Sequence, residues 1–540
     1  MGSVNRAKLG LFLLAVLAVL AGATLAKGGF YIGKHEGDTL HLLQIVLREA
    51  QGQWPHLDFQ TPIGVLATAP IALFVKLGFG AGMAILLAQV LVAAIALPAI
   101  WRVAESRFPA PWAYIFGGFT LVLILALVHG ATERSVSISM HYNRWAWAAA
   151  YLAIATAMIA PRPGRAAPTA DGLVIGVALA FLALVKVTYF AAFALPVAVA
   201  LIGRRDWRAL VVTLLAGLAV ALAVTLMAGT PLFWLAYLRD LATVAGSEVR
   251  PQPGLPFAAI LGAPAYMGGS LALIFGVIFL RQAGRRLEGL VLLLLVPGFF
   301  YVQFQNYGND PQWLGLLGLL LVTLKPAHSV TNALGWDVTK GLGLLAAAVF
   351  AFAAPSAFNL AYSPFRHLVK DVSTHTPVLP GSGIHEDLRT ARVRALRVDA
   401  RQALDGPGSP FAAYFDASLR PTRTEWNGET WPDCMVENGL IAWHEAIAAD
   451  LLASGLAEGK TAFAADVLSG FWIFGAFEPL PGASPWYYGG LPGFEAADYL
   501  IVPRCPVSTK VRGLVFDAVD AAGTSLTEVR RNDMYVLYAK

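Results

Sequence analysis

Long apolar stretches separated by short polar segments dominate the first two thirds of the chain. About a dozen of them approach the roughly 20 apolar residues that cross a bilayer core, the first running from Leu9 to Ala26. No clear cleavage site follows that first stretch, and more apolar stretches come after it, so we expect it to remain as an anchor. The pattern predicts an α-helical polytopic membrane protein.

The polar segments also predict an orientation. Arg6 and Lys8 precede the first span. Arginines cluster in four later segments, at residues 102–107, 162–165, 204–208 and 281–286. Because positive charge is retained on the cytoplasmic side, these segments should be cytoplasmic.

A cytoplasmic N-terminus and an external C-terminal part require an odd number of spans. Two places leave that number at 11 or 13: residues 62–101 form one span plus a re-entrant piece or a hairpin, and residues 172–203 form one span or two.

Composition supports this class. Of the 540 residues 57% are hydrophobic and 14% charged, which is too apolar for a soluble protein. Residues 1–360 carry 23 Lys and Arg against 13 Asp and Glu, a net charge of +10, whereas residues 361–540 carry 16 against 21, a net charge of −5. The basic excess lies in short loops, so it indicates topology and not a nucleic-acid partner. We predict a transmembrane catalytic domain over residues 1–360 and an external domain over residues 361–540.

The pattern after Asn359 predicts a small soluble α/β domain. Helices are expected over residues 387–401 and 438–456, and strands over residues 471–474, 499–502 and 534–538. The two cysteines, Cys434 and Cys505, have no metal-binding spacing. An external compartment permits a disulfide between them, but their proximity is not visible in the sequence.

The polar stretch after the first span is the main candidate for chemistry. Glu36 and Asp38 lie there, and a mostly helical apolar period from Leu40 to Glu49 predicts a short helix on the bilayer surface. A carboxylate fixed at that surface can act as a general base on an acceptor hydroxyl or amine. The alternative is that the two acids only keep the loop in water.

The same region holds imidazoles. His35, His41, His56 and Asp58 could together bind a divalent metal ion, since imidazole and carboxylate suit several such ions. No fixed spacing distinguishes such a site from a hydrogen-bonded loop.

Three cations are candidates for binding a phosphate. Arg134 and Arg144 lie in an outer segment, where an arginine either binds phosphate through its fork of donors or anchors a helix end at the interface. Lys186 interrupts a long apolar run. An ionisable group at membrane depth usually faces a cavity or a partner, although a lysine at a hairpin turn can also extend its ammonium to the interface.

A dense polar outer loop over residues 303–313 suits sugar or headgroup recognition, although part of its sequence is also typical of a simple turn. The predicted acceptor- and sugar-binding residues are His56, Tyr142, Asn143, Gln305, Asn306 and Asn309.

On these residues the chain resembles the GT-C superfamily of integral-membrane glycosyltransferases. The nearest branch holds protein O-mannosyltransferases, lipid A aminoarabinose transferases and the sugar transferases of rhizobial lipopolysaccharide cores. The resemblance rests on the acidic motif Glu36-Gly37-Asp38 after the first span, on the stretch from Gly52 to Phe59 leading into Thr61-Pro62, and on many spans followed by an external domain. Family members usually pair two adjacent acids, whereas Thr39 follows Asp38 here.

The resemblance implies a function. A hexose or pentose would pass from a polyprenyl-phosphate donor to an envelope glycolipid, polysaccharide or protein at the outer face of the cytoplasmic (inner) membrane. Asp38 would be the base of an inverting displacement, with Glu36 and Asp58 as alternatives. Lys186, Arg144 and Arg134 would bind the donor phosphate. The resemblance does not imply a specific cofactor, and whether a divalent metal ion is needed stays open.

Two other functions compete with sugar transfer. A transporter or lipid flippase would explain Lys186 and the many spans, but transporters commonly carry internal repeats, and none stands out here. A non-catalytic envelope assembly protein would use the C-terminal domain to bind a partner.

Overall fold

The computed structural model describes residues 4–249, 256–305, 310–406, 408–420 and 422–540. Its α-helices are α1 Arg6–Leu25, α2 Glu36–Ala50, α3 Ala69–Lys76, α4 Ala81–Arg107, α5 Trp112–Leu125, α6 His141–Met158, α7 Pro168–Val185, α8 Val187–Gly203, α9 Trp207–Ala228, α10 Leu232–Ala245, α11 Phe257–Gly262, α12 Pro264–Gln282, α13 Arg286–Gln305, α14 Trp313–Leu324, α15 Val338–Leu368, α16 Arg392–Ala395, α17 Leu440–Ala453 and α18 Thr509–Ala522. Its strands are β1 Phe30–Ile32, β2 His375–Pro377, β3 Leu388–Ala391, β4 Asp399–Gln402, β5 Glu425–Trp426, β6 Glu429–Thr430, β7 Cys434–Asn438, β8 Ala462–Ala464, β9 Tyr499–Pro503, β10 Thr527–Arg531 and β11 Tyr535–Ala539.

Seven helices are long and apolar enough to cross a membrane, namely α1, α4, α7, α9, α12, α13 and α15. Three shorter apolar helices, α5, α8 and α14, and the largely buried α6 pack among them. The protein is therefore a helical polytopic membrane protein with a C-terminal part that contains sheets, as predicted. The number of crossings, 11 or 13, stays a prediction.

The structure decides both ambiguous segments. Residues 62–101 hold the short helix α3 and then α4, so they contain one long helix and not a hairpin of two. Gly78, with φ of 89°, makes the turn between α3 and α4. Residues 172–203 hold two helices, because the backbone of Lys186 is extended, with φ of −159°, and separates α7 from α8.

Ion pairs bring the arginine-rich segments together at one end of the helical bundle. Glu105 on α4 pairs with Arg165 at 2.7 Å and with Arg6 at 3.6 Å. Asp171 on α7 pairs with Arg107 at 2.8 Å. The start of α1, the end of α4 and the loop after α6 thus lie on one side, which is the arrangement that retention of positive charge requires.

The C-terminal part is built on a four-stranded sheet in the order β10-β11-β9-β8, with a core that includes side chains from β8, β9, β11 and α17. The helix predicted over residues 438–456 and the strands predicted over residues 499–502 and 534–538 are confirmed as α17, β9 and β11. Cys434 and Cys505 form a disulfide with their Cα atoms 4.8 Å apart.

Two predictions for this part are wrong. Residues 387–401 form β3, the four-residue α16 and β4 instead of one helix, because β3 lies between β1 and β2 in a three-stranded sheet. Residues 471–474 belong to a 3₁₀ helix, Gly470–Phe474, and not to a strand. Helix α15 continues past residue 360 to Leu368, and the division into two domains stays a prediction.

Candidate functional site

Helix α2 lies between the bundle and the C-terminal part. Eleven of its fifteen residues are buried, so the predicted helix exists but does not rest on the bilayer surface. Glu36 at its start pairs with Arg394 at 2.8 Å. Near its end Gln44 donates to the carbonyl of Pro485 at 3.2 Å, and Arg48 donates to that of Leu480 at 3.1 Å. These contacts fix α2 against the C-terminal part.

A cavity of about 430 Å³ lies at the start of α2. It is lined by His35, Asp38, His41, Leu42, Ile63, His129, Ile138, Ser139, Met140, His141, Tyr142, Val249 and Trp486. Asp38 is the one carboxylate among these lining residues, and its side chain is half-buried. The carboxylate is therefore within reach of a molecule in the cavity.

Two helices begin at this cavity. His35 precedes α2 with φ of 68°, and Met140 precedes α6 with φ of 54°, so a left-handed residue introduces each helix. Helix N-termini carry partial positive charge and unpaired backbone N–H groups. Asp38 in the first turn of α2 complements that charge. The same field favours an anionic ligand between the two helix starts.

Hydrogen bonds hold Asp38 and His35 in place. The Ser139 hydroxyl donates to Asp38 Oδ2. His35 Nδ1 lies 2.9 Å from the Ser137 hydroxyl, which also accepts from the backbone N–H of Ser139 at 3.1 Å. A single turn before α6 thus positions both side chains that start α2.

Burial keeps two histidines of the cavity neutral. It lowers the pKa of His129 to about 4. Burial also lowers the pKa of His35, although Asp38 opposes the shift. The two rings lie 5.6 Å apart, so protonating one disfavours protonating the other. Near pH 7 both act as polar neutral groups beside Asp38.

A second cavity, of about 250 Å³, adjoins the first, because Ile63 and Tyr142 line both. Lys186 lines the second cavity at the break between α7 and α8. Its Nζ donates to Asn143 Oδ1 at 3.2 Å and lies 5.5 Å from the centre of the Tyr142 ring. Gln305 lines the same cavity. Five of the predicted site residues therefore lie in or beside two adjoining cavities: Asp38, Tyr142, Asn143, Lys186 and Gln305.

The predicted arginines are elsewhere. Arg144 is buried on α6 and donates to the carbonyl of Ala126 at 2.9 Å. Arg134 is exposed in the loop before α6, and its carbonyl accepts from Arg366. Neither arginine is among the residues that line the two cavities. Asn306 and Asn309 lie outside the described residues.

Glu36, His56 and Asp58 do not line either cavity. Glu36 is held by Arg394, as described above. The buried His56 pairs with Asp240 of α10 at 2.9 Å, and the exposed Asp58 accepts from the backbone N–H of Trp54 at 2.6 Å. The side chains of His56 and Asp58 thus stabilise the loop after α2.

The predicted set of four metal ligands is not brought together. His35 and His41 line the first cavity, whereas His56 and Asp58 have the separate partners just described. Within the part of the chain that the structure describes, no group of three or more His, Cys, Asp or Glu side chains is placed to hold a metal ion.

The sequence did not single out Ser139, His129 or Trp486. Trp486 comes from the C-terminal part, and its ring lies 5.5 Å from that of His41 on α2. The backbone N–H of Gln60 donates to the carbonyl of Ala483 at 3.0 Å, which holds this segment against the loop after α2. No local pattern marks such a residue, because only the docking of distant segments brings it to the cavity.

No family model matches this chain, and no curated protein matches it. Among solved structures, the crystal structure of ArnT from Cupriavidus metallidurans in the apo state is similar, with a TM-score of 0.45 and 13% sequence identity. The likeness covers 98% of this chain and 97% of that one.

Proposed function

We propose that this protein transfers a sugar from a polyprenyl-phosphate donor to an acceptor at the outer face of the cytoplasmic membrane, with Asp38 as the general base. One observation carries the proposal. Asp38 is the one carboxylate lining a cavity of about 430 Å³, and the adjoining cavity holds Lys186. A base and a cation in neighbouring cavities are what displacement of a phosphate by a hydroxyl or amine requires.

The proposed reaction is a single inverting displacement. Asp38 accepts the proton of the acceptor hydroxyl or amine while the acceptor atom attacks the anomeric carbon. The bond from that carbon to the phosphate oxygen breaks, and the lipid phosphate leaves with the electron pair. Lys186 stabilises the charge of the leaving phosphate. Ser139, which donates to Oδ2 of Asp38, orients the carboxylate for this proton transfer.

The surroundings suit a lipid-linked donor. Lys186 lies between two apolar helices, α7 and α8, so a phosphate near its Nζ would leave the polyprenyl chain beside the bundle. The arginine-rich loops lie at one end of the bundle, as the ion pairs of Glu105 indicate. A disulfide in the C-terminal part favours an oxidising compartment outside the cytoplasm for that part. The acceptor would be an envelope glycolipid, polysaccharide or protein.

The test is transfer by the purified protein from a panel of polyprenyl-phosphate sugars to envelope extracts, followed by mass spectrometry. Asp38→Asn keeps the shape of the side chain, and turnover should fall by about a hundredfold or more. Asp58→Asn is the matched control, because Asp58 is exposed, lines neither cavity, and its side chain accepts from the backbone N–H of Trp54 in its own loop. It should keep near-normal turnover.

Two outcomes would contradict the proposal at different levels. Near-normal turnover of Asp38→Asn would remove Asp38 as the base while leaving sugar transfer intact. If the wild-type protein transfers no sugar and cells lacking it keep unchanged envelope glycans, sugar transfer itself is wrong.

A further inference from the structure

A third cavity, of about 400 Å³, lies at the other end of α2. It shares no lining residue with the two cavities described above. Its wall is mostly apolar and comes from α3, α4, α9 and the segments that follow α2, including Trp54, Val65, Leu66, Leu73, Leu91 and Met227. Such a wall accepts a hydrocarbon chain, since burying apolar surface is favourable.

The cavity opens towards the bilayer. Met227 is 71% exposed and Leu73 46% exposed, although both are large apolar side chains. Met227 belongs to α9, which is one of the seven helices long and apolar enough to cross a membrane. Exposed apolar side chains on such a helix contact lipid, so a lipid chain can enter from the side.

Glu49 is the polar feature of this cavity. It lies in the last turn of α2, lines the cavity and is only 8% exposed. Its Oε1 accepts from the Thr68 hydroxyl at 2.6 Å. Its Oε2 is buried and has no hydrogen-bond partner among the residues that the structure describes. A buried polar atom without a partner is rare in folded proteins and indicates that a ligand can supply one.

The protonation state of Glu49 decides what that partner is. Burial raises the pKa of Glu49 to about 8, so near neutral pH the group is mainly a neutral carboxylic acid. Because Oε1 accepts from Thr68, the acid proton belongs on Oε2. The cavity therefore offers a hydrogen-bond donor, and its ligand must bring a neutral acceptor oxygen.

A cation lies at the rim. Lys76 is the exposed last residue of α3 and lines the same cavity. Arg48, one residue before Glu49, points away to the carbonyl of Leu480 and the side chain of Gln53. The cavity residues contributed by α4 and α9 are Leu91, Val224 and Met227, none of which titrates.

We propose that this cavity binds an acylated anionic membrane phospholipid. One acyl chain lies along the apolar wall, its ester carbonyl accepts a hydrogen bond from Glu49, and its phosphate lies near Lys76. A polyprenyl phosphate has a similar tail and charge but no carbonyl, so it leaves Glu49 without an acceptor. The lipid would fill the space between α2, α3 and α9 and hold α2 in place, whether or not the protein transfers sugars.

The first test uses the full-length protein without any substitution. Delipidated protein in detergent is titrated with phosphatidylglycerol and with its ether-linked analogue, which lacks the ester carbonyls, and binding is followed by native mass spectrometry and thermal stability. We expect the ester lipid to bind about tenfold more tightly, the equivalent of one hydrogen bond. Equal affinity for the two lipids would overturn the proposal. Tighter binding of polyprenyl phosphate than of phosphatidylglycerol would also overturn it.

Variants then test the two polar groups. Glu49→Gln keeps a donor and should keep the ester preference, whereas Glu49→Leu should abolish it. Raising the pH from 7 to 9.5 ionises Glu49 and should weaken ester binding by the wild type but not by Glu49→Gln. Lys76→Gln should reduce the preference for phosphatidylglycerol over phosphatidylcholine. Lys340→Gln is its control, because Lys340 is exposed at the start of α15 and does not line the cavity. An ester preference that survives in Glu49→Leu would contradict the role of Glu49.

Discussion

Glu36 and Arg394 form an ion pair, with 2.8 Å between the two closest side-chain atoms, across 358 residues of sequence. The Glu36 side chain is 2% exposed and also accepts from the Thr390 hydroxyl at 3.0 Å. Burial opposes the charge of Glu36, but the hydrogen bonds from Arg394 and Thr390 outweigh it and lower its pKa. Glu36 thus has a buried ion pair two residues before Asp38, whose carboxylate accepts from the Ser139 hydroxyl.

We therefore expect Glu36→Gln to weaken the attachment of the C-terminal part to α2. Loss of the ion pair with Arg394 should reduce the free energy of unfolding by about 2 kcal/mol, as for a hydrogen bond to a charged group. Thermal unfolding and limited proteolysis would measure it. Arg397→Gln is the control, since Arg397 is 69% exposed in its pair with Asp399 and such pairs contribute little. A variant with wild-type stability and no turnover would instead make Glu36 catalytic.

Lys186→Met should reduce the affinity for the donor more than it reduces the turnover number. The proposed contact of Lys186 is with the phosphate, so we expect the donor concentration for half-maximal rate to rise about tenfold or more. Lys186→Arg keeps the positive charge and should recover much of the affinity. Steady-state kinetics against donor concentration would measure both variants. Unchanged donor dependence in Lys186→Met would show that the lysine only holds Asn143 and Tyr142.

Replacing both Cys434 and Cys505 by serine should destabilise the C-terminal part. The disulfide closes a loop with a sequence separation of 71 residues. Chain entropy gives about 4 kcal/mol for a loop of that length. Thermal unfolding with and without reductant would show the effect, and gel mobility of the wild type should change on reduction. A thiol count of two in the unreduced wild-type protein would contradict this.

His444 should make the protein sensitive to acid. It is fully buried, and burial lowers its pKa from 6.5 to about 4. Since the pKa in the folded state is the lower one, the unfolded state takes up the proton first. The contribution of neutral His444 to the free energy of unfolding is complete above pH 6.5 and is lost as the pH falls towards 4. At pH 5 the loss amounts to about 2 kcal/mol.

Melting temperatures at pH 7 and pH 5 would test this for the wild type and for His444→Gln, which cannot titrate. The variant should lose less stability between the two pH values, whatever its stability at pH 7. An equal loss in both proteins would mean that other groups cause the acid sensitivity.

The sequence predicts the parts of this protein that depend on local pattern. Long apolar runs predict the bundle, and charged loops predict its orientation. An amphipathic pattern predicts α17, and short apolar runs predict β9 and β11. Asp38 stands out because a polar segment follows the first span, and Lys186 because it interrupts an apolar run. In each case the neighbouring residues carry the information.

What the sequence does not predict depends on distant partners. Residues 387–401 are charged and favour a helix, yet Leu388–Ala391 forms a strand because β1 and β2 complete its ladder. A run of four apolar residues is too short for its periodicity to distinguish a strand from a helix. Residues 471–474 pack beside α17 as part of a 3₁₀ helix. Ser139 and Trp486 reach the cavity only after separate segments dock.

The pairing of β1 with β3 also sets an order of events during synthesis. Phe30 pairs in parallel with Leu388, so an edge strand from the first third of the chain pairs with a central strand from the last third. A ribosome emits the chain from its N-terminus, and domains usually fold in that order. β1 has to wait, unpaired beside the membrane, until the whole bundle has been inserted. A nascent chain halted before β3 would therefore keep α2 without its buried ion pair, and the cavity beside Asp38 would be completed only after the segment that carries Trp486 has been made.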